Sequence, residues 1–180
     1  DQTQQNLEAA QKELENVQNQ LNIAQKALQT STDAKTAADN ELEVAEKEIT
    51  KINMMKTDTE QRKAQSEAKI SELDNKLQDK NLTVSERNEI QQERELWEKN
   101  LETVNANLAT LKKMQADADE KLRSAETAAK QAQAAFEDAQ TKYNVLTTKK
   151  SDQEGQVNEC QTQLKDRENA LQTKQDELNA

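Results

Sequence analysis

Apolar residues recur at alternating steps of three and four from Leu7 to Leu77, and 15 of the 21 positions in this series are apolar. A seven-residue period sustained over ten heptads predicts a single helix that supercoils against a partner helix. The positions of this first seam are Leu7, Ala10, Leu14, Val17, Leu21, Ala24, Leu28, Ser31, Lys35, Ala38, Leu42, Ala45, Ile49, Ile52, Lys56, Thr59, Lys63, Ser66, Ile70, Leu73 and Leu77.

A second series of the same period begins at Ile90, and 20 of its 26 positions are apolar. It predicts a second helix of the same kind. The positions of this second seam are Ile90, Arg94, Trp97, Leu101, Val104, Leu108, Leu111, Gln115, Ala118, Leu122, Ala125, Ala129, Ala132, Phe136, Ala139, Tyr143, Leu146, Lys150, Gln153, Val157, Cys160, Leu164, Arg167, Leu171, Lys174 and Leu178.

The two series do not join, because continuing the first one beyond Leu77 meets mainly polar residues in the stretch LQDKNLTVSERNEI. Thr83 and Glu86 have the spacing of a capping box at a helix start. Asn81 tolerates the left-handed backbone conformation that is common just after a helix end. We therefore predict an all-α protein, a long antiparallel coiled-coil helical hairpin in one domain spanning 1–180. Its first helix covers 1–78, its turn 79–83 and its second helix 84–180.

The hairpin predicts which seam positions face each other, because Leu77 opposite Ile90 fixes the numbers of paired residues at a sum of 167. Large residues then repeatedly face small ones, as close packing at constant volume requires. The predicted pairs include Leu28 with Ala139, Ala24 with Tyr143, Ser31 with Phe136, Lys35 with Ala132, Leu42 with Ala125, Ala45 with Leu122 and Ile49 with Ala118.

The second helix is longer than the first, so its end has no partner within the chain. Its apolar stripe of Leu164, Leu171 and Leu178 is a candidate assembly interface. The alternative fold is an elongated three- or four-helix bundle with further turns. Residues 29–40 offer capping side chains, and residues 147–156 contain the only glycine, Gly155. The unbroken register across both stretches favours the hairpin.

The composition excludes most chemistry. The chain has no His, one Cys and one Gly, which excludes the usual zinc sites, Ser–His or Cys–His catalysis and glycine-rich phosphate loops. We expect no enzyme activity, no cofactor and no small-molecule substrate. The net charge of −10 is spread evenly and disfavours nucleic acid and anionic membranes. Weak calcium binding is compatible with this charge. No apolar run is long enough for membrane insertion.

Three further features have both a structural and a functional interpretation. Cys160 lies on the seam, as a small core residue or as an interchain disulfide in an oxidising compartment. Asn81 begins the only N-x-Ser/Thr sequence, which is either a chance occurrence or an N-glycosylation site at the turn. Four successive polar seam positions either fix the helix register or form a switch zone that responds to ions or pH. These four residues are Lys56, Thr59, Lys63 and Ser66.

The stretch AAFEDAQTKYNVLTTKKSDQEGQVNECQTQLKDRENALQTKQDEL resembles the trichocyst matrix family of ciliate secretory organelles. The residues that carry the resemblance are Tyr143, Leu146, Leu164, Ala170, Leu171 and Lys174. The resemblance implies a cleaved secretory polypeptide that packs into crystalline cargo and rearranges with calcium on release. The start at Asp1 without Met agrees with a processed product or a fragment. In composition the chain also resembles bacterial surface coiled coils.

We therefore expect a non-enzymatic structural protein that assembles with itself or with sister coiled-coil proteins, in a secretory granule or outside the cell. The alternative is a binding or tethering module that presents the tip of a helical hairpin to a partner, as a bacterial cell-surface coiled coil does. The short, plain sequence of the predicted turn favours assembly.

Overall fold

A computed structural model describes residues 2–180 and contains two helices, α1 (Gln2–Leu77) and α2 (Val84–Asn179), with no strand among those residues. The helices pack against each other as an antiparallel hairpin, which confirms the predicted all-α fold and its reversal near 79–83. Residues 29–40 and 147–156 are helical throughout. The alternative of a three- or four-helix bundle is therefore wrong.

Local preferences explain why the helices are so long. The chain lacks proline, and residues that favour helices dominate it. Gly155 lies inside α2 with ordinary helical backbone, since no glycine among residues 2–180 has a positive φ. Its neighbourhood is open, and a Cβ atom there would meet nothing within 4 Å. The glycine therefore weakens α2 locally without ending it.

Burial follows the two predicted seams. Every position of the first seam and every position of the second seam up to Leu164 is buried or half-buried. The most buried apolar residues include Val17, Ile52, Leu73, Val104 and Ala118. Because the seam is shielded from water along α1 and along α2 up to Leu164, tertiary packing rather than propensity alone stabilises these parts of the helices.

Contacts within the chain form two compact units. One consists of residues 2–38 and 129–180, and the other of residues 39–128, which include the turn. We call them the terminal unit and the turn unit. Each unit is an antiparallel helix pair with its own section of the seam.

The turn is closed by side chains. The Thr83 hydroxyl accepts a hydrogen bond of 3.1 Å from the Glu86 backbone N–H, so Thr83 caps α2 as predicted. The Arg87 guanidinium donates to the carbonyls of Leu77 and Asp79 at 3.0 and 3.2 Å and thereby caps the end of α1. The Asp79 carboxylate accepts from the Asn81 N–H.

The turn does not use the left-handed conformation that Asn81 tolerates, because no described residue has a positive φ. The carbonyls at the end of α1 are satisfied without it. The backbone N–H groups of Gln78 and Asp79 donate to the carbonyls of Asn75 and Lys76, and the Arg87 side chain donates to the carbonyl of Leu77.

Candidate functional site

The end of α2 carries an apolar stripe that α1 does not cover. A hydrogen bond of 3.3 Å from Arg167 to the Thr3 hydroxyl lies close to the start of α1. Leu164 is half-buried, whereas Leu171 is 59% and Leu178 is 85% exposed. Residues 165–180 are all exposed. The three predicted leucines therefore lie on one continuous face that leaves the intramolecular seam between Leu164 and Leu171.

We call residues 165–180 the α2 end. Leu171, Lys174 and Leu178 continue the seven-residue period by which α2 packs on α1. A helical face of this kind gains free energy by burying its leucines against an apolar partner surface.

The four polar seam positions lie in the turn unit and are held by hydrogen bonds. Ser66 is fully buried, and its hydroxyl accepts a hydrogen bond of 2.8 Å from the Asn100 side chain. Lys56 donates to the Gln115 side chain at 3.1 Å, and Gln115 in turn donates to Asn53. Each of these bonds joins α1 to α2, so they support the register-fixing interpretation.

The other two polar positions make local contacts. The Thr59 hydroxyl donates to the Met55 carbonyl at 2.8 Å. The Lys63 ammonium lies 4.0 Å from the Glu67 carboxylate, and the two side chains are 41% and 54% exposed. The predicted facing residues Val104, Leu108 and Leu111 are buried. The switch interpretation of the four polar positions stays a prediction.

Further polar contacts cross between the helices within each unit. In the turn unit Arg94 bonds to Asp74 and also to Glu98, and the hydrogen bond to Asp74 is the main cause that raises the pKa of Arg94. In the terminal unit Gln153 donates to the Ala10 carbonyl at 3.0 Å. The Lys35 ammonium lies 5.9 Å from the centre of the Phe136 ring, a cation–π contact.

The two single-residue candidates are placed as follows. Cys160 is a free, half-buried thiol on the seam. Asn81 is exposed in the turn, while Thr83 of the same N-x-Ser/Thr sequence serves as the helix cap. The interchain disulfide and the glycosylation of Asn81 stay predictions.

The pattern of seam positions did not predict one surface feature, an open groove of about 690 Å³ on one flank of the terminal unit. We call it the flank groove. Its apolar lining includes Ile23, Ala24, Ala27, Ala135, Ala139 and Val145. Ile23 is 70% and Val145 is 50% exposed. Both residues lie outside the seam, and apolar side chains at such positions are the sequence signal that could have revealed the groove.

Among residues 2–180, no group of three or more His, Cys, Asp or Glu side chains is arranged to hold a metal ion. Neither helix has a segment that combines the length and the apolar character needed to cross a bilayer.

Comparison with known proteins gives no relative from which a function could be transferred: no protein-family model, no curated protein and no solved structure matches the chain.

Proposed function

We propose that this chain is a non-enzymatic structural protein that assembles into a larger array through the end of α2. The single observation that carries the proposal is the stripe of Leu171 and Leu178, which continues the seam into solvent. Exposed leucines on the period of an existing helix interface favour a further helix as partner. The partner is another copy of the chain or a sister coiled-coil protein.

The setting we propose is a crystalline secretory-granule matrix, inside the granule or released from the cell. The resemblance of residues 134–178 to the trichocyst matrix family supports this setting. The acidic charge of −10 supports packing that responds to calcium, because shared carboxylates on neighbouring molecules attract divalent cations.

The test is the triple substitution Leu164→Ser, Leu171→Ser and Leu178→Ser. We expect it to abolish higher-order assembly in sedimentation and light scattering at high protein concentration. Helicity by circular dichroism should be largely kept, because Leu171 and Leu178 are exposed and only Leu164 is half-buried.

The matched control is Gln163→Ser, Gln172→Ser and Gln175→Ser, which places three serines in the same region on exposed polar positions. It carries a similar loss of helix propensity without removing apolar surface. Assembly of the leucine variant at the level of the control and the native chain would refute the proposed interface.

A second candidate function, a hairpin that binds or tethers a partner at its tip, has one observation in its favour. Val84 begins α2 beside the turn and is 79% exposed. A tip binder would lose its partner on Val84→Ser but keep it after the leucine substitutions. An assembling protein would show the reverse pattern.

A further inference from the structure

The side chains that line the flank groove are larger at one end than at the other. In the predicted register, in which the numbers of paired positions sum to 167, Ile23 lies level with position 144, so Ile23 and Val145 are at nearly the same level. The groove end at Ser31 and Ala135 is lined by smaller side chains. Ala27 lies between the two ends, at the level of position 140. The groove therefore has a bulky end and a small end about its centre at Ala27.

We propose that the flank groove binds the flank groove of a second copy of this chain, with the two copies antiparallel and a twofold axis at the level of Ala27. This arrangement stacks α1 on α1 and α2 on α2, each with reversed direction. Ile23 then faces Ser31 of the second copy, and Val145 faces Ala135 of the second copy. Each bulky end fills the small end opposite, which is the self-complementarity that a twofold interface requires.

Charge complementarity supports the same axis independently. Asp138 and Lys142 line the groove and form an exposed ion pair of 3.2 Å within α2. The antiparallel arrangement brings Lys142 of one copy opposite Asp138 of the other, and does so twice. Opposite charges therefore meet across the interface at both places.

The parallel arrangement of two copies fits less well. It would place the bulky end of one groove against the bulky end of the other, so that Ile23 of one copy meets Val145 of the second. The two small ends would then face each other across unfilled space. Unfilled apolar space loses contacts and bulky overlap causes strain. Size and charge thus select the antiparallel copy as the occupant of the groove.

The interface is small, so we expect weak association. The groove runs from Gln20 to Ser31 on α1, about 18 Å of helix at ~1.5 Å per residue. Stable interfaces bury about 1,200–2,000 Å² in total. We therefore expect the monomer to dominate in dilute solution and the dimer to appear at high concentration.

The first test removes the two bulky side chains with Ile23→Gln and Val145→Gln in the full chain. Each substitution acts twice in a twofold dimer, so we expect the dimer Kd from sedimentation equilibrium to rise at least about tenfold. Val44→Gln is the matched control, because Val44 is similarly exposed and also lies two residues after a leucine of the seam, but in the turn unit. Equal effects of all three variants, or none, would overturn the proposal.

The second test exchanges the charges. Asp138→Lys should weaken the dimer, because it places a lysine opposite Lys142 of the second copy. Adding Lys142→Asp should restore association, because the reversed pair is again complementary. A double variant that stays as weak as Asp138→Lys, with unchanged helicity, would show that the copies are not antiparallel about this axis.

The third test locates the axis by cross-linking with a short bis-maleimide in a Cys160→Ala background. Ala27→Cys should give covalent dimers, because the axis brings position 27 of both copies together. Gln20→Cys should not, because position 20 faces position 34 of the second copy. Equal yields would overturn the proposed axis.

The same assay separates this inference from the proposed function. The chain with Leu164→Ser, Leu171→Ser and Leu178→Ser should lose array growth but still cross-link through Ala27→Cys. Loss of cross-linking in that chain would mean that the flank contact depends on the α2 end and is no interface in its own right.

Discussion

At the scale of single residues, polar positions of the first seam depend on hydrogen bonds to α2. The Ser66 hydroxyl is fully buried and accepts a hydrogen bond from Asn100. No buried side-chain nitrogen or oxygen among residues 2–180 lacks a hydrogen-bond partner. A buried polar group that loses its partner costs more than the bond itself was worth, because it gives up hydration without replacement.

We therefore predict that Asn100→Ala lowers the free energy of unfolding by about 1–3 kcal/mol, measured in urea. The double variant Ser66→Ala with Asn100→Ala should be less destabilised than the two single variants added together, because it leaves no orphaned hydroxyl. Additive effects would mean that the bond between Ser66 and Asn100 contributes nothing to stability.

Substitution of Gly155 is expected to stabilise the protein. It is exposed in the interior of α2, and a Cβ atom there meets nothing. Gly155→Ala should raise the free energy of unfolding by roughly 0.5–1 kcal/mol, because alanine loses less backbone entropy in a helix. Denaturant titration measures the change. A loss of stability would indicate a turn at this position, as in the excluded helix bundle.

At the scale of elements, the reversal depends on one arginine. Arg87 begins the second turn of α2, yet it caps the carbonyls of Leu77 and Asp79. Thr83 caps the other helix end. The two helix ends are therefore coupled through side chains of α2 and its cap.

Arg87→Gln should remove the cap on α1, lower stability by about 1–3 kcal/mol and speed amide exchange near the end of α1, because hydrogen bonds from a charged donor are lost. Hydrogen exchange with mass spectrometry measures the local effect. Arg123→Gln, which removes an exposed arginine elsewhere in the turn unit, is the matched control. Equal exchange near the turn in both variants would contradict the capping role.

The register of the two helices can be tested with the native thiol. Leu7 is buried on the seam and is paired with Cys160 in the predicted register. Leu7→Cys should form an intramolecular disulfide with Cys160 under mild oxidation, seen as a mobility shift without reductant. Leu14→Cys should not, because position 14 pairs with Gln153. Similar bridging by both variants would indicate a sliding register.

At the scale of the whole molecule, charge determines how copies approach one another. The net charge is −10, and carboxylates outnumber basic groups by 35 to 25. Bringing copies together concentrates like charge, and the repulsion grows as water is excluded between them. Counter-ions that bind several carboxylates should therefore favour the assembled state.

We predict that millimolar calcium increases association at high protein concentration and changes hydrogen exchange at residues 56–66, the polar seam positions. Calcium prefers several carboxylate oxygens in flexible geometry, so magnesium at the same ionic strength is the control. A dilute chain should respond little, because the sites are shared between copies. Unchanged sedimentation and exchange with calcium would leave an assembly without an ion switch.

The sequence by itself determined the two helices, the place of the reversal, the capping by Thr83 and the buried seam. These features depend on local helix propensity and on a seven-residue period, and both can be recognised from the order of residues along the chain. The exposed leucines at 171 and 178 follow from the same register and from the unequal helix lengths.

Only the tertiary structure decided which side chains meet across the helices. The predicted register pairs Lys35 with Ala132, but the Lys35 ammonium contacts the ring of Phe136, one helical turn further along α2. The reason is that a long side chain reaches along its helix by about a turn. The Arg87 cap likewise needs the folded turn. The flank groove exists because side chains outside the seam come together only when two helices lie side by side, and a period along one helix does not contain that information.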